Sequence, residues 1–162
     1  MRPTRFTLGA TAAALLAFAS ALPSPSPAQA AGVRPPALDL SAYKGKVVYL
    51  DFWASWCVPC QASFPYMREL TLRFGKQHFA VVAVDLDRDQ SHSQAFLDRF
   101  RPNFPVVFDP KGKIAKAYRI KDMPTSFLID QSGHVRFTHQ GFFPEREETY
   151  NQQITELLDE NN

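Results

Sequence analysis

The stretch Tyr49–Pro65, YLDFWASWCVPCQASFP, holds both cysteines of the 162-residue chain, Cys57 and Cys60. Val47 to Trp53 is an apolar run rich in β-branched and aromatic residues and reads as a buried strand. It breaks off just before a C-x-x-C whose second half opens a helix. Cys57 therefore falls at a helix N-terminus. There the unpaired backbone N–H groups and the positive end of the helix dipole favour a thiolate over a thiol, so its sulfur is nucleophilic near neutral pH. Cys60, one turn on, lies within disulfide reach. Such a short loop closes almost no chain and adds little stability by loop entropy, so chemistry explains the pair better than scaffolding does.

Downstream, Phe64, Met67, Leu70, Leu72 and Phe74 recur at roughly helical spacing, and Gly75 stops the helix. Pro65 removes one backbone donor and predicts a kink. Phe79–Val84 is a short apolar run between polar flanks, expected as a central parallel strand. A polar loop, residues 85–93, leads to a helix with Ala95, Phe96, Leu97 and Phe100 inward, ended by Pro102. Residues 104–109 form another strand, and a short helix runs through Ile114, Ala117 and Tyr118. Residues 122–130 are a further strand with Pro124 at its start, since proline cannot donate to a ladder. Val135, Phe137 and His139 alternate as a closing hairpin strand after a turn at residues 131–134. Pro144 opens a last helix whose buried stripe is Tyr150, Ile154, Leu157 and Leu158.

Upstream, residues 1–30 carry Arg2 and Arg5, an apolar segment from Leu8 to Leu22, a proline-rich stretch and Ala28-Gln29-Ala30. This reads as a signal peptide cleaved after Ala30, which makes the protein exported and periplasmic. Leu8 to Leu22 falls short of the ~20 apolar residues a membrane span needs. The alternative is retention of this segment as an anchor facing the periplasm. Residues 31–45 are an extended lead-in with a turn at residues 44–46, and residues 31–162 form one domain. Loss of Arg2 and Arg5 leaves 16 basic against 16 acidic residues, a balance that argues against nucleic acid or an anionic membrane as partner.

The segment Asp51-Phe52-Trp53-Ala54-Ser55-Trp56-Cys57-Val58-Pro59-Cys60 resembles the active site of the thioredoxin superfamily, and Met123-Pro124-Thr125 resembles its cis-proline motif. Pro65 stands at the family's offset from the second cysteine. The extra helix and strand after Asp85 resemble the insertion of TlpA/ResA-type periplasmic thioredoxins. The resemblance implies an α/β thioredoxin fold, a central mixed β-sheet flanked by helices on both faces. It implies Cys57 as nucleophile, Cys60 as resolving thiol and Asp51 as a buried proton acceptor beneath Cys60. Burial raises a carboxyl's pKa. The family's lysine beside this acid aligns with Val84, so the charge partner is expected to be missing.

Trp56, Met123, Pro124, Thr125 and Gly141 are the expected substrate-binding residues, with Met123 pairing its backbone with an extended substrate chain. Trp53, Val58 and Pro59 shape the site, Trp53 by core packing. No histidine lies between the cysteines, unlike the strongly oxidising DsbA-like sites. Between about −120 mV for DsbA and about −270 mV for thioredoxin, this points towards the reducing end. The resemblance thus implies a thiol-disulfide oxidoreductase, mainly a disulfide reductase. Its expected partners are protein disulfide substrates, apocytochrome c or copper-centre assembly proteins among them, and a membrane thiol-disulfide electron donor. No cofactor is expected, and the chain is expected to be a monomer. A zinc site needs about four ligands, and His78, His92, His134 and His139 show no ligand spacing near the cysteines. Covalent haem would need histidine where Gln61 stands. An oxidase or isomerase with the same residues, and a copper-binding chaperone on the same fold, are the competing readings; the latter's family pattern has a wider cysteine spacing.

Overall fold

The computed structural model describes residues 38–160. The expected leader and its expected cleavage point lie outside the described residues. Among the described residues no helix is long and apolar enough to cross a membrane.

The central strand β1 (Val47–Trp53) is buried along its whole length, as a run without polar alternation requires when both faces of a sheet are covered. It leads into α1 (Val58–Phe74), which returns to β2 (Phe79–Asp85), parallel to β1 with Asp51 opposite Ala83. After α2 (Gln90–Phe100) comes a short edge strand β3 (Val106–Phe108), parallel to β2. A one-turn α3 (Lys113–Ala117) follows. The chain then crosses to the other side of β1, where β4 (Thr125–Ile129) runs antiparallel with Ser126 opposite Asp51. The strand β5 (Val135–Gln140) makes a hairpin with β4, and α4 (Glu147–Asp159) closes the chain. The sheet order is β3-β2-β1-β4-β5, a mixed sheet with α/β architecture and the thioredoxin-like order of elements.

Strand alternation divides the core in two. Tyr49 and Trp53 of β1 and Val81 and Ala83 of β2 pack with α1, α2 and α4 on one face. Val48, Leu50, Phe52, Val82 and Val84 pack on the other with Ile114 and Tyr118 around α3 and with Leu38, Leu40 and Tyr43. The first face is heavily aromatic: the rings of Phe64 and Phe96 lie 4.7 and 4.6 Å from that of Trp53. Each such pair adds about 0.5–1.5 kcal/mol beyond area burial.

Several local expectations need correction. The lead-in is not wholly extended, because Ser41–Tyr43 forms a 3-10 turn. Leu72 is 75 % exposed, its position lying two residues from the buried Leu70 and Phe74 and therefore on the opposite side of α1. Ala95 is exposed and Ser93 takes the inward place beside Phe96. Pro65 does lie inside α1, where the sequence placed it, and is solvent-exposed. Residues 122–124 precede β4 rather than belong to it.

Candidate active site

The site is built where β1 ends. Cys57 is the N-cap of α1, with Pro59 in the first turn. The Cys57 N–H donates to the Ala54 carbonyl at 3.1 Å, and the Cys60 N–H donates to Cys57 Sγ at 3.3 Å. The sulfur thus occupies the acceptor place that a serine or aspartate side chain takes at other helix starts. In this structure Cys57 and Cys60 are joined as a disulfide, with Cα atoms 5.3 Å apart. Cys57 is 5 % exposed and Cys60 fully buried, so the first cysteine is the one a reagent can reach. When the pair is reduced, the same N–H and the helix dipole hold negative charge on Cys57.

Asp51 is 1 % exposed and, by alternation with Tyr49 and Trp53, shares the sheet face that α1 covers. Desolvation holds its carboxyl well above the ordinary aspartate range. Its Oδ2 has no hydrogen-bond partner among the described residues. The residue across β2 is Ala83, not Val84, which pairs with Phe52 and faces the opposite side. The position aligned with the family's lysine is thus one place along β2 from the residue opposite Asp51, and an apolar side chain stands at both. Tyr49 and Ser126 sit beside Asp51: burial and the nearby Asp51 push the Tyr49 hydroxyl up, and its hydrogen bond to Ser126 opposes this. Ser126 Oγ in turn lies 3.3 Å from His139 Nδ1.

The Met123–Pro124 peptide is cis. A groove of about 430 Å³ is lined by Trp56, Cys57, Val58, Pro59, Lys121, Asp122 and Met123. Four of the expected residues, Trp56, Val58, Pro59 and Met123, therefore meet around Cys57. Trp56 and Val58 are 68 % and 72 % exposed and give the groove an apolar rim. Pro124, Thr125 and Gly141 are not among the residues that line the groove. The Gly141 N–H donates to the Pro124 carbonyl at 2.8 Å, and the Thr125 hydroxyl donates to the Asp122 carbonyl at 2.7 Å. Gly141 has φ +77, a backbone conformation that favours glycine, and a Cβ there would come within 3.0 Å of the partly exposed Phe143 ring. Trp53 is buried in the aromatic cluster beneath.

Sequence reasoning missed Lys121 and Asp122, which flank the proline motif and could have been found by reading two residues further upstream. It also missed Asp87, whose carboxylate accepts from both the N–H and the hydroxyl of Ser55, at 2.7 and 2.9 Å. Asp85 accepts the Asp87 N–H at 2.9 Å, and burial pushes the Asp85 carboxyl up to about 6. Among the described residues no group of three or more His, Cys, Asp and Glu side chains is placed to hold a metal ion.

Comparison with known proteins agrees with this geometry. The Redoxin family model matches residues 18–154. The thiol-disulfide oxidoreductase ResA of Geobacillus kaustophilus is 40 % identical over 97 residues, 60 % of this chain and 56 % of that protein. The chain thus matches little more than half the length of such relatives. Among solved structures, a Chlorobium tepidum protein named as a thiol:disulfide interchange protein DsbE is 48 % identical. Its TM-score is 0.72, with 74 % of this chain and 84 % of that one covered. The exposed lipoprotein thioredoxin Etrx1 of Streptococcus pneumoniae is 32 % identical with a TM-score of 0.63, covering 72 % and 89 %. A family match over most of the chain, joined to a C-x-x-C at a helix start beside a cis-proline, means that this protein belongs to the Redoxin family.

Proposed function

We propose that this protein is an exported thiol-disulfide oxidoreductase that works mainly as a disulfide reductase outside the cytoplasm. The observation that carries the reading is the position of Cys57: it caps α1, accepts the Cys60 N–H and opens onto an apolar-rimmed groove. The names borne by the ResA and DsbE relatives support the same class.

In the reductive direction the Cys57 thiolate attacks one sulfur of a substrate disulfide. A Cys57–substrate bond forms, the substrate S–S bond breaks, and the released substrate sulfur leaves as a thiolate that takes a proton from solvent. Cys60 then loses its proton and attacks Cys57 Sγ, which frees the second substrate thiol and leaves the Cys57–Cys60 disulfide. Asp51 is the group we assign to accept the Cys60 proton. A carboxylate whose burial raises its basicity, with no cation beside it, is suited to take a proton from a thiol. Return to the dithiol needs two electrons from a thiol donor, which for an exported protein means a dithiol protein in the membrane. Apocytochrome c and copper-centre assembly proteins are the substrate classes to try first.

The deciding experiment is the reduction potential of the Cys57–Cys60 pair in defined glutathione or dithiothreitol buffers. A value near the thioredoxin end, about −270 mV, supports the reductase; one near the DsbA end, about −120 mV, reverses the direction to disulfide formation.

A further inference from the structure

We propose that Asp87 is a positioning residue of this active site: it grips Ser55 with both carboxylate oxygens and so fixes where Trp56 stands at the rim of the substrate groove. This rests on the reading of the chain as a thiol-disulfide oxidoreductase and adds to it a determinant of protein-substrate recognition.

The turn from β1 to α1 is only Ala54, Ser55, Trp56 and Cys57. Its two ends are tied by the Cys57 N–H to the Ala54 carbonyl. Between them, Ser55 donates its N–H to Asp87 Oδ2 at 2.7 Å and its hydroxyl to Asp87 Oδ1 at 2.9 Å. Two short bonds from one residue to a carboxylate set orientation as well as distance, and bonds to an ionised acceptor are the stronger kind. Asp87 is 2 % exposed and is itself anchored. Its N–H donates to Asp85 Oδ1, and the neighbouring Leu86 N–H donates to the Trp53 carbonyl at 2.9 Å. The end of β2 therefore holds the active-site turn from outside it.

Trp56 follows Ser55 directly and is 68 % exposed. An indole so little packed takes its position from the backbone that carries it, and that backbone is fixed by Asp87. The ring lines the groove with Cys57 and Met123, where an extended polypeptide can lie on it and a small disulfide need not touch it. An asparagine keeps both contacts only with the Ser55 hydroxyl turned from donor to acceptor, and it replaces two bonds to a carboxylate by weaker neutral ones.

The test compares wild type, Asp87→Asn and Ser55→Ala on two oxidants, insulin as a protein disulfide and 5,5′-dithiobis(2-nitrobenzoate) as a small one. For Asp87→Asn the expected result is a KM for insulin raised about fivefold, with kcat and the small-disulfide rate within about twofold, as fits two bonds to a carboxylate weakened to neutral ones. Faster exchange of the Ser55 amide should accompany it. Ser55→Ala, which removes the hydroxyl and keeps the amide, should move the insulin KM the same way by less, and carries the test if Asp87→Asn does not fold. If both substrates slow together, or neither changes, in a folded variant of an active enzyme, the assignment is overturned alone. If wild type reduces neither substrate, the oxidoreductase reading fails and the assignment falls with it.

Discussion

Asp51 and Asp109 are both buried acids at the sheet, and the chain treats them in opposite ways. Asp109, at the end of β3, receives the Lys113 N–H at 2.8 Å on one oxygen and the Ala115 N–H at 3.0 Å on the other. Both donors belong to the first turn of α3, whose orphan N–H groups need an acceptor. Asp130 does the same for the β4–β5 turn, accepting the Ser132 and His134 N–H groups at 2.9 Å each. Asp51 has an Oδ2 with no hydrogen-bond partner among the described residues and neighbours that desolvate it. A buried carboxyl with local donors is spent on satisfying them, whereas burial without such donors raises the carboxyl's proton affinity. The difference separates scaffold acids from the acid we propose as proton acceptor for Cys60.

Asp51→Asn should give the largest effect. It should slow the resolving step about 100-fold at pH 7, the usual size of one general base, read by stopped-flow release of the mixed disulfide. The same variant should be more stable than wild type at neutral pH. The folded pKa of Asp51 is raised, so its favourable contribution is complete below the ordinary aspartate value and is lost as pH rises towards the folded value. The advantage of the variant therefore grows with pH by about 1.4 kcal/mol per unit through that window, and denaturant titrations at several pH values measure it. Equal stability at every pH would erase the distinction between Asp51 and the scaffold acids.

Asp109→Ala should do the reverse, costing about 2–3 kcal/mol by stranding two helix N–H groups, with the reduction potential unchanged. Urea unfolding checks the first and a glutathione titration the second. Asp85 lies between the two classes, since it accepts a backbone N–H yet is raised by burial to about 6. Its contribution is present below the ordinary aspartate value and fades as pH climbs through about 6. Asp85→Asn should accordingly gain on wild type by up to about 1.4 kcal/mol per pH unit across that interval, and not above it. Arg136→Ala should matter least. Its bonds to Glu160 at 2.6 and 2.8 Å are partly solvent-exposed, worth about 0.2–1 kcal/mol and reduced by salt.

Much of this molecule is legible in its sequence where local chemistry decides the outcome. The unbroken apolar run of β1, the cysteine at the start of α1 and the proline before β4 each announce their place through steric or hydrogen-bonding rules acting over a few residues. Legibility ends where pairing spans long separations. That Ala83 rather than Val84 stands opposite Asp51 is a matter of strand register, which is fixed by the whole sheet. The Ser55–Asp87 grip joins residues 32 apart, both of ordinary polar type, and nothing in either neighbourhood points to the other. Leu72 and Ala95 show the limit of apolar counting, since a helix face is narrower than a list of its hydrophobic residues.

The two outer strands bear on how this chain meets its own kind. At one border β3 is three residues long and follows Pro105, which has no N–H to offer. At the other, β5 turns Arg136, Thr138 and Gln140 outward, and Arg136 is bound to Asp130 and Glu160. A sheet with one stunted and one charged border is a poor template for growth by strand addition. Copies crowded together, or caught half-folded, would find little at those borders to zip onto, so the sheet guards against polymerisation while its reactive end stays open.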